Sequence, residues 1–307
     1  MSDRTSILPS PWAGVFPAVT TQFDAELAVD LPATAAVQRA LVEARVHGLV
    51  VLGTCGENNS LAAEEKRAVL GAAVGAAAGR IPVIAGVSEL TTGAAVRFAR
   101  DAENAGADGL MVLPAMVYVP TPAELEAHLR AVAAATRLPI MLYNNPPAYR
   151  AAIELDTLAR LADVPNIIAL KESTPDSRRF TDVFNACGER YTVFAGLDDL
   201  AFEGLALGAS GWVSGLTNAF PRESLALYEA LRAGELARAR TLYRWFMPLL
   251  HLDAGHDLVQ AIKLAEQVMG RGSERVRAPR RPLEGARRAQ VMGLIERAAA
   301  SRAGLPL

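Results

Sequence analysis

Eight times along this chain a short apolar run is followed by a stretch of helical periodicity, an alternation that confines the fold to parallel strands joined by helical crossovers. The runs are GVFPAVTTQF (Gly14 to Phe23), GLVVLG (Gly48 to Gly53), IPVIAGV (Ile81 to Val87), DGLMVLP (Asp108 to Pro114), LPIMLY (Leu138 to Tyr143), IIALKES (Ile167 to Ser173), YTVFAG (Tyr191 to Gly196) and GWVSG (Gly211 to Gly215). Asp30 and Pro32 open a helix over Ala33 to Val46, and Thr121, Pro122 and Glu124 form a capping box for one running to about Thr136. Further helices are expected over Glu64 to Ala78, Ala94 to Asn104, Leu155 to Leu161 and Leu200 to Leu207, with one beginning at Thr174 and Pro175. A repeat of roughly 20–30 residues is the rhythm of a (β/α)8 TIM barrel. An open doubly wound sheet is the weaker alternative.

Beyond Ser224 apolar residues recur only at helical spacing, so residues 1–223 are expected to hold the barrel core and residues 224–307 the last barrel helix and a C-terminal helical extension. With 51% hydrophobic and 21% charged residues the chain can bury a large core. A net charge of −2 gives no general attraction for nucleic acid or an anionic membrane. No apolar run reaches about 18 residues and MSDRTSILPSPW lacks a secretory pattern, so a cytoplasmic protein is expected. Cys55 and Cys187 are too few for a disulfide framework and lack metal-ligand spacing.

The chain has 28 arginines and only three lysines. Lys66 lies in the charged patch AEEKR and Lys263 in the helical LVQAIKLAEQ, and both are expected at the surface. Lys171 alone ends a buried strand. An arginine keeps its proton, whereas a lysine in an apolar site is pushed toward the neutral amine and can attack a carbonyl carbon. Lys171 is therefore either a Schiff-base nucleophile or a structural cation paired with Glu172 or another carboxylate.

Thr54 and Cys55 after the second strand and Tyr143 after the fifth fall on the same rim as Lys171, the face where barrels place their chemistry. A phenol can carry the protons of carbinolamine formation and collapse, and a Gly-rich turn can cradle an anion with backbone N–H groups. The dull readings are a simple turn and a packed tyrosine. HLDAGH (His251 to His256) carries possible metal ligands but falls between tail helices, away from the rim, so no metal is expected. Cys55 has no histidine beside it and reads as polar lining, not a nucleophile. The arginine-rich stretch from Arg271 to Arg288 reads as a solvated linker and helix start.

GTCGE, YNNPP, IIALKES and AGLDD together resemble the dihydrodipicolinate synthase and N-acetylneuraminate lyase family over nearly the whole length. The resemblance implies a (β/α)8 barrel with C-terminal helices, a homotetramer or homodimer, and a lysine Schiff base with a 2-oxo acid that needs no cofactor. It implies Lys171 as the Schiff-base lysine, Tyr143 as the proton-relay phenol, Gly53, Thr54 and Cys55 as the carboxylate-binding turn, and Gly196 as the glycine of the S/A-G-x-D segment. Cys55 departs from the GTTGE pattern of the lysine-pathway synthases. Ala148 stands where those synthases carry an arginine for the aldehyde's carboxylate, with Arg150 close by. LPAMVYVPT, around Tyr118, differs from the paired tyrosines usual there, one of which a neighbouring subunit supplies.

Within the family, GTCGEN, YNNPPAY, KESTPDSRR and PLLHLDAGHDLVQAIKLAE are most similar to a subgroup of hydroxyproline breakdown. Its activity is 1-pyrroline-4-hydroxy-2-carboxylate deamination to 2,5-dioxopentanoate and ammonia. A 2-oxo sugar acid aldolase or dehydratase, dihydrodipicolinate synthesis, and a catalytically silent small-molecule sensor on the same barrel are the alternatives.

Overall fold

The computed structural model describes residues 12–114 and 118–307. The eight strands are β1 (Gly14–Pro17), β2 (Leu49–Val51), β3 (Val83–Val87), β4 (Gly109–Val112), β5 (Ile140–Asn144), β6 (Ile167–Glu172), β7 (Thr192–Ala195) and β8 (Gly211–Ser214). All neighbouring pairs are parallel, in the order β1-β8-β7-β6-β5-β4-β3-β2. The chain past β1 closes the ring. Ala18 N donates to Ser214 O of β8 and Val19 N to Val50 O of β2, both at 2.8 Å, so the sheet is a barrel and not an open layer.

The first strand is shorter than its apolar run because the chain leaves the ladder at Thr20, Thr21 and Gln22, whose side chains enter a buried polar network. The helices between strands are α1 (Leu31–Glu43), α2 (Ala63–Ala77), α3 (Thr92–Asn104), α4 (Pro122–Ala133), α5 (Pro146–Tyr149), α6 (Leu155–Leu161), α7 (Arg178–Cys187) and α8 (Ala201–Ala206). Asp30 caps α1 through Ala33 N at 2.9 Å, and Val37, Leu41 and Val42 form the face it buries. Thr121 and Glu124 cap α4 reciprocally. The one-turn α5, capped by Asn145, was not legible as a helix because prolines fill half of its four positions. Of the LPAMVYVPT segment, Ala115, Met116 and Val117 lie outside the described residues.

After β8 the chain continues through α9 (Pro221–Arg232), α10 (Leu236–Leu250), α11 (Leu258–Val268) and α12 (Gly285–Ser301). The division expected at residue 223 falls inside α9. The tail is fastened to the barrel by buried charge. Lys263 of α11 donates to Glu57 Oε1 at 3.0 Å and to Thr21 O at 2.7 Å, and the Arg277 N–H reaches Glu57 Oε2 at 3.0 Å.

Two expectations are corrected here. Lys263 and Lys66 are not surface lysines: they are 0% and 6% exposed, and each pairs with a carboxylate, Glu57 and Glu89 respectively. Nor is the arginine-rich stretch simply solvated. Arg277 bonds Leu27 O, Ser60 O and Glu65 and lies 4.6 Å from the Phe23 ring, while Arg287 and Arg288 pair with Asp257 and Glu274. Multiple carbonyl acceptors near a forked guanidinium explain why arginine serves there.

Candidate active site

Register decides which side chains enter the barrel. Tyr143 of β5 stands opposite Lys171 of β6, and Asn144 opposite Glu172, one residue on. Successive strand residues point to opposite faces, so Tyr143 and Lys171 go inward while Asn144 and Glu172 go toward the helices. There the Asn144 amide and the Thr174 N–H donate to the Glu172 carboxylate, which also pairs with Arg179 of α7. Glu172 is thus satisfied without Lys171, and among the described residues Lys171 forms no ion pair.

Lys171 is 5% exposed, with Nζ 4.0 Å from the centroid of the Tyr143 ring. Burial lowers its pKa, opposed by Asp253, Cys55, Tyr149 and Asp198. Burial raises the Tyr143 phenol, which stays protonated at neutral pH. Its oxygen accepts from Asn145 Nδ2 at 2.8 Å, so its own proton points elsewhere. Gly196, after β7, has a steric reason to lack a side chain: a Cβ would sit 2.0 Å from Ser173 Oγ and 2.8 Å from Lys171 Cγ.

The turn after β2 begins at Leu52, which holds φ of 60° deep in the core. That left-handed geometry costs a non-glycine residue about 1–2 kcal/mol and turns the chain sharply toward the cavity. Gly86 makes room for it, since a Cβ there would come within 2.3 Å of Leu52 O. Among the described residues the backbone N–H groups of Thr54 and Cys55 have no protein acceptor. Burial pushes the Cys55 thiol up, and Asp253 adds to the shift, so it is a protonated lining group.

Gly53, Thr54, Cys55, Tyr143, Lys171 and Gly196 thus line one cavity, of about 50 Å³. Two residues join them that sequence reasoning missed. Tyr149, at the end of α5, has its hydroxyl 2.6 Å from Thr54 Oγ1 and its ring edge-on to Tyr143 at 5.8 Å. Asp253 comes from the loop between α10 and α11, inside the HLDAGH segment expected to lie away from the rim. That expectation is corrected, because the tail folds back over the mouth and brings Asp253 and Leu258 into the cavity wall. Gly215 leaves the seat for this carboxylate: a Cβ there would lie 2.4 Å from Asp253 Oδ1. The Asp198 backbone N–H favours the ionised form of Asp253. The Asp198 carboxylate itself accepts from Trp212 Nε1 at 2.9 Å and Leu216 N at 2.8 Å, tying the β7 loop to β8.

A buried amine without an ion partner, a phenol on the adjacent strand and a facing anion cradle define a barrel enzyme that forms covalent imines with carbonyl compounds. Comparison with known proteins gives the family. Residues 11–298 match the dihydrodipicolinate synthetase family, and the chain belongs to it. It is 36% identical to a 4-hydroxy-tetrahydrodipicolinate synthase of Synechococcus sp. (strain WH7803), over 94% of this chain and 96% of that one. A synthase of the same name from Sorangium cellulosum is also 36% identical, over 95% and 98%. Among solved structures, the 4-hydroxy-tetrahydrodipicolinate synthase of Methylacidiphilum fumariolicum SolV superposes with a TM-score of 0.91 at 28% identity, over 95% and 97% of the chains. YagE of E. coli K12, a prophage protein of the same family in complex with pyruvate, gives 0.89 at 30% identity, over 94% and 99%. The chain is therefore a class I aldolase-like lyase that works through a lysine Schiff base.

Proposed function

We propose that this enzyme is a 1-pyrroline-4-hydroxy-2-carboxylate deaminase, releasing 2,5-dioxopentanoate and ammonia. The observation that carries the reading is the charge of the cavity wall. Among the described residues lining it, Lys171 is the one basic side chain and burial works against its charge, Ala148 stands where a second-carboxylate anchor is expected, and Asp253 adds an acidic group. A wall of that sign disfavours a second substrate bearing its own carboxylate and suits one whose far end carries a hydroxyl and an amine.

In this reading the neutral Lys171 amine attacks C2 of the cyclic imine while the Thr54 and Cys55 N–H groups hold the carboxylate at C1. Gly53 and Gly196 supply the close backbone approach on either side. Ring opening leaves C2 bound to Lys171 as an imine and frees the nitrogen on C5. Tyr143 moves the protons on the nitrogens at C2 and the proton leaving C3, passing the imine to its enamine, and loss of the C4 hydroxyl and hydrolysis follow. One water leaves and two enter, which balances the equation of one water consumed per ammonia released.

The relatives' names favour a second reading, condensation of pyruvate with aspartate semialdehyde. One assay separates them: ammonia release from the pyrroline against pyruvate-dependent consumption of the semialdehyde, with borohydride trapping at Lys171 in both. Efficient condensation without ammonia from the pyrroline overturns the deaminase reading, and aldol cleavage of a 2-oxo sugar acid would replace it with the aldolase. Exposed Leu90, Tyr118 and Val119, on the loops after neighbouring strands β3 and β4, support a homo-oligomer, a tetramer or a dimer. A cytoplasmic location agrees with two free cysteines, and no helix among the described residues is long and apolar enough to cross a membrane.

A further inference from the structure

Strand order places the acid–base groups of the cavity on opposite flanks. Going round the barrel from β6, which carries Lys171, to β2, which leads into the carboxylate turn, one path passes β5, β4 and β3 and the other passes β7, β8 and β1. Tyr143 stands on the first path. Asp253 stands on the second, seated over Gly215 after β8. A substrate bound covalently to Lys171, with its carboxylate at the β2 turn, therefore has a phenol on one side and a carboxyl group on the other. The seat is specific, because any side chain at position 215 would fill it.

We propose that Asp253 is the acid–base group for the far end of the bound substrate, giving its proton to the C4 hydroxyl as it leaves and regaining one from C5. The inference rests on the deaminase reading and deepens it. In the step, the enamine pair of C2 and C3 becomes the C3–C4 double bond and the C4–O bond breaks with its electrons. The oxygen departs as water with the Asp253 proton, and C2 returns to the iminium. The Asp253 carboxylate then takes a proton from C5, whose C–H bond is acidified through the conjugated iminium, and the acid is restored. The resulting conjugated dienamine takes up one proton at C3 and one at C4, and water then hydrolyses C5 to the aldehyde and ammonia and C2 to the keto group, freeing Lys171. No oxidant or reductant is needed. Burial holds the Asp253 carboxyl up at about 6, opposed by Lys171 and supported by Asp199, with Asp198 and Cys55 the other titratable groups near it. A proton-bearing fraction is thus present near neutral pH.

The test compares wild type with Asp253→Asn on the pyrroline, reading three signals: the borohydride-trapped Lys171 adduct by mass, exchange of the C3 protons in deuterated water by NMR, and ammonia release. Adduct and C3 exchange should persist in the variant while ammonia release falls about 100-fold or more. Ammonia release within threefold of wild type overturns the proposal, as does loss of adduct and exchange together in a folded variant, which would place Asp253 at the Lys171 end. Should the variant not fold, wild type alone carries the test: ammonia release relative to C3 exchange should fall as pH rises through the Asp253 range, and a pH-independent ratio overturns the assignment. A wild type silent on the pyrroline defeats the deaminase reading itself, a result distinct from a working wild type with an indifferent variant.

Discussion

The Tyr149 hydroxyl lies 2.6 Å from Thr54 Oγ1, a hydrogen bond that joins the loop after β5 to the turn after β2 across the cavity mouth. With Tyr143 edge-on at 5.8 Å, the two phenols and one hydroxyl form a group supplied by a single chain. Burial keeps both phenols protonated at neutral pH, so each can donate. The segment around Tyr118 departs from the paired tyrosines usual in the family, and Tyr149 offers a second phenol from within the chain.

Tyr149→Phe should therefore lower turnover by about 10- to 100-fold through loss of proton transfer, with a smaller change in KM. Tyr143→Phe, nearer the amine, should cost about 100-fold or more. Steady-state kinetics on both variants and the double variant checks this. If the two phenols act as one relay, the double variant should be little worse than Tyr143→Phe alone; multiplied losses would mean independent roles.

The barrel and half of the candidate site were legible because local pattern and local position sufficed. Each strand is an apolar run, and Lys171, Tyr143 and Thr54 lie at or just beyond the ends of such runs, where parallel topology fixes the rim. Asp253 was not legible, because the return of the tail over the mouth depends on contacts between residues far apart in sequence, such as Lys263 with Glu57. Its neighbours His251 and His256 drew attention to metal chemistry instead. Tyr149 sits in YNNPPAY, where the prolines hide a single helical turn that rotates the phenol inward. The paired lysines misled for the opposite reason: Lys66 and Lys263 have polar or charged residues close in sequence, and the burial of both comes from tertiary packing.

Replacing the buried lysines one at a time should separate function from stability. Among the described residues Lys171 forms no ion pair, so Lys171→Met removes a desolvated amine and should abolish turnover without lowering Tm. Lys263→Met leaves Glu57, 0% exposed, without its main partner, and should cost about 3–5 kcal/mol. Thermal and denaturant unfolding of both variants checks the contrast. Equal destabilisation would mean that Lys171 has a structural partner after all.

Cys55 is 4% exposed and its thiol is pushed up by burial, so it has little thiolate at neutral pH. Cys55→Ser and Cys55→Thr should each keep much of the activity, because the backbone N–H groups of the turn remain. Thiol-directed alkylating agents should react slowly with the native enzyme. Complete loss of turnover in the serine form would show that the sulfur itself takes part.

Glu266 of α11 tests the linkage between pH and the seating of the tail. It is 0% exposed, it accepts from Thr20 Oγ1 at 2.9 and 2.8 Å, and burial raises its carboxyl from 4.5 to about 7 against the help of Thr20 and Lys263. A raised folded-state pKa means that the folded chain holds a proton which the unfolded chain releases. The stability from that proton is full below about pH 4.5, declines as pH rises, and is lost above about 7. The loss is on the order of 3 kcal/mol at 1.4 kcal/mol per unit. Glu266→Gln carries no charge at any pH, so it should match wild type near pH 5 and exceed it near pH 8. Urea unfolding of both forms at the two pH values measures the difference. A gap that stays constant between them would mean that Glu266 is ionised throughout, with Lys263 and Thr20 outweighing its burial.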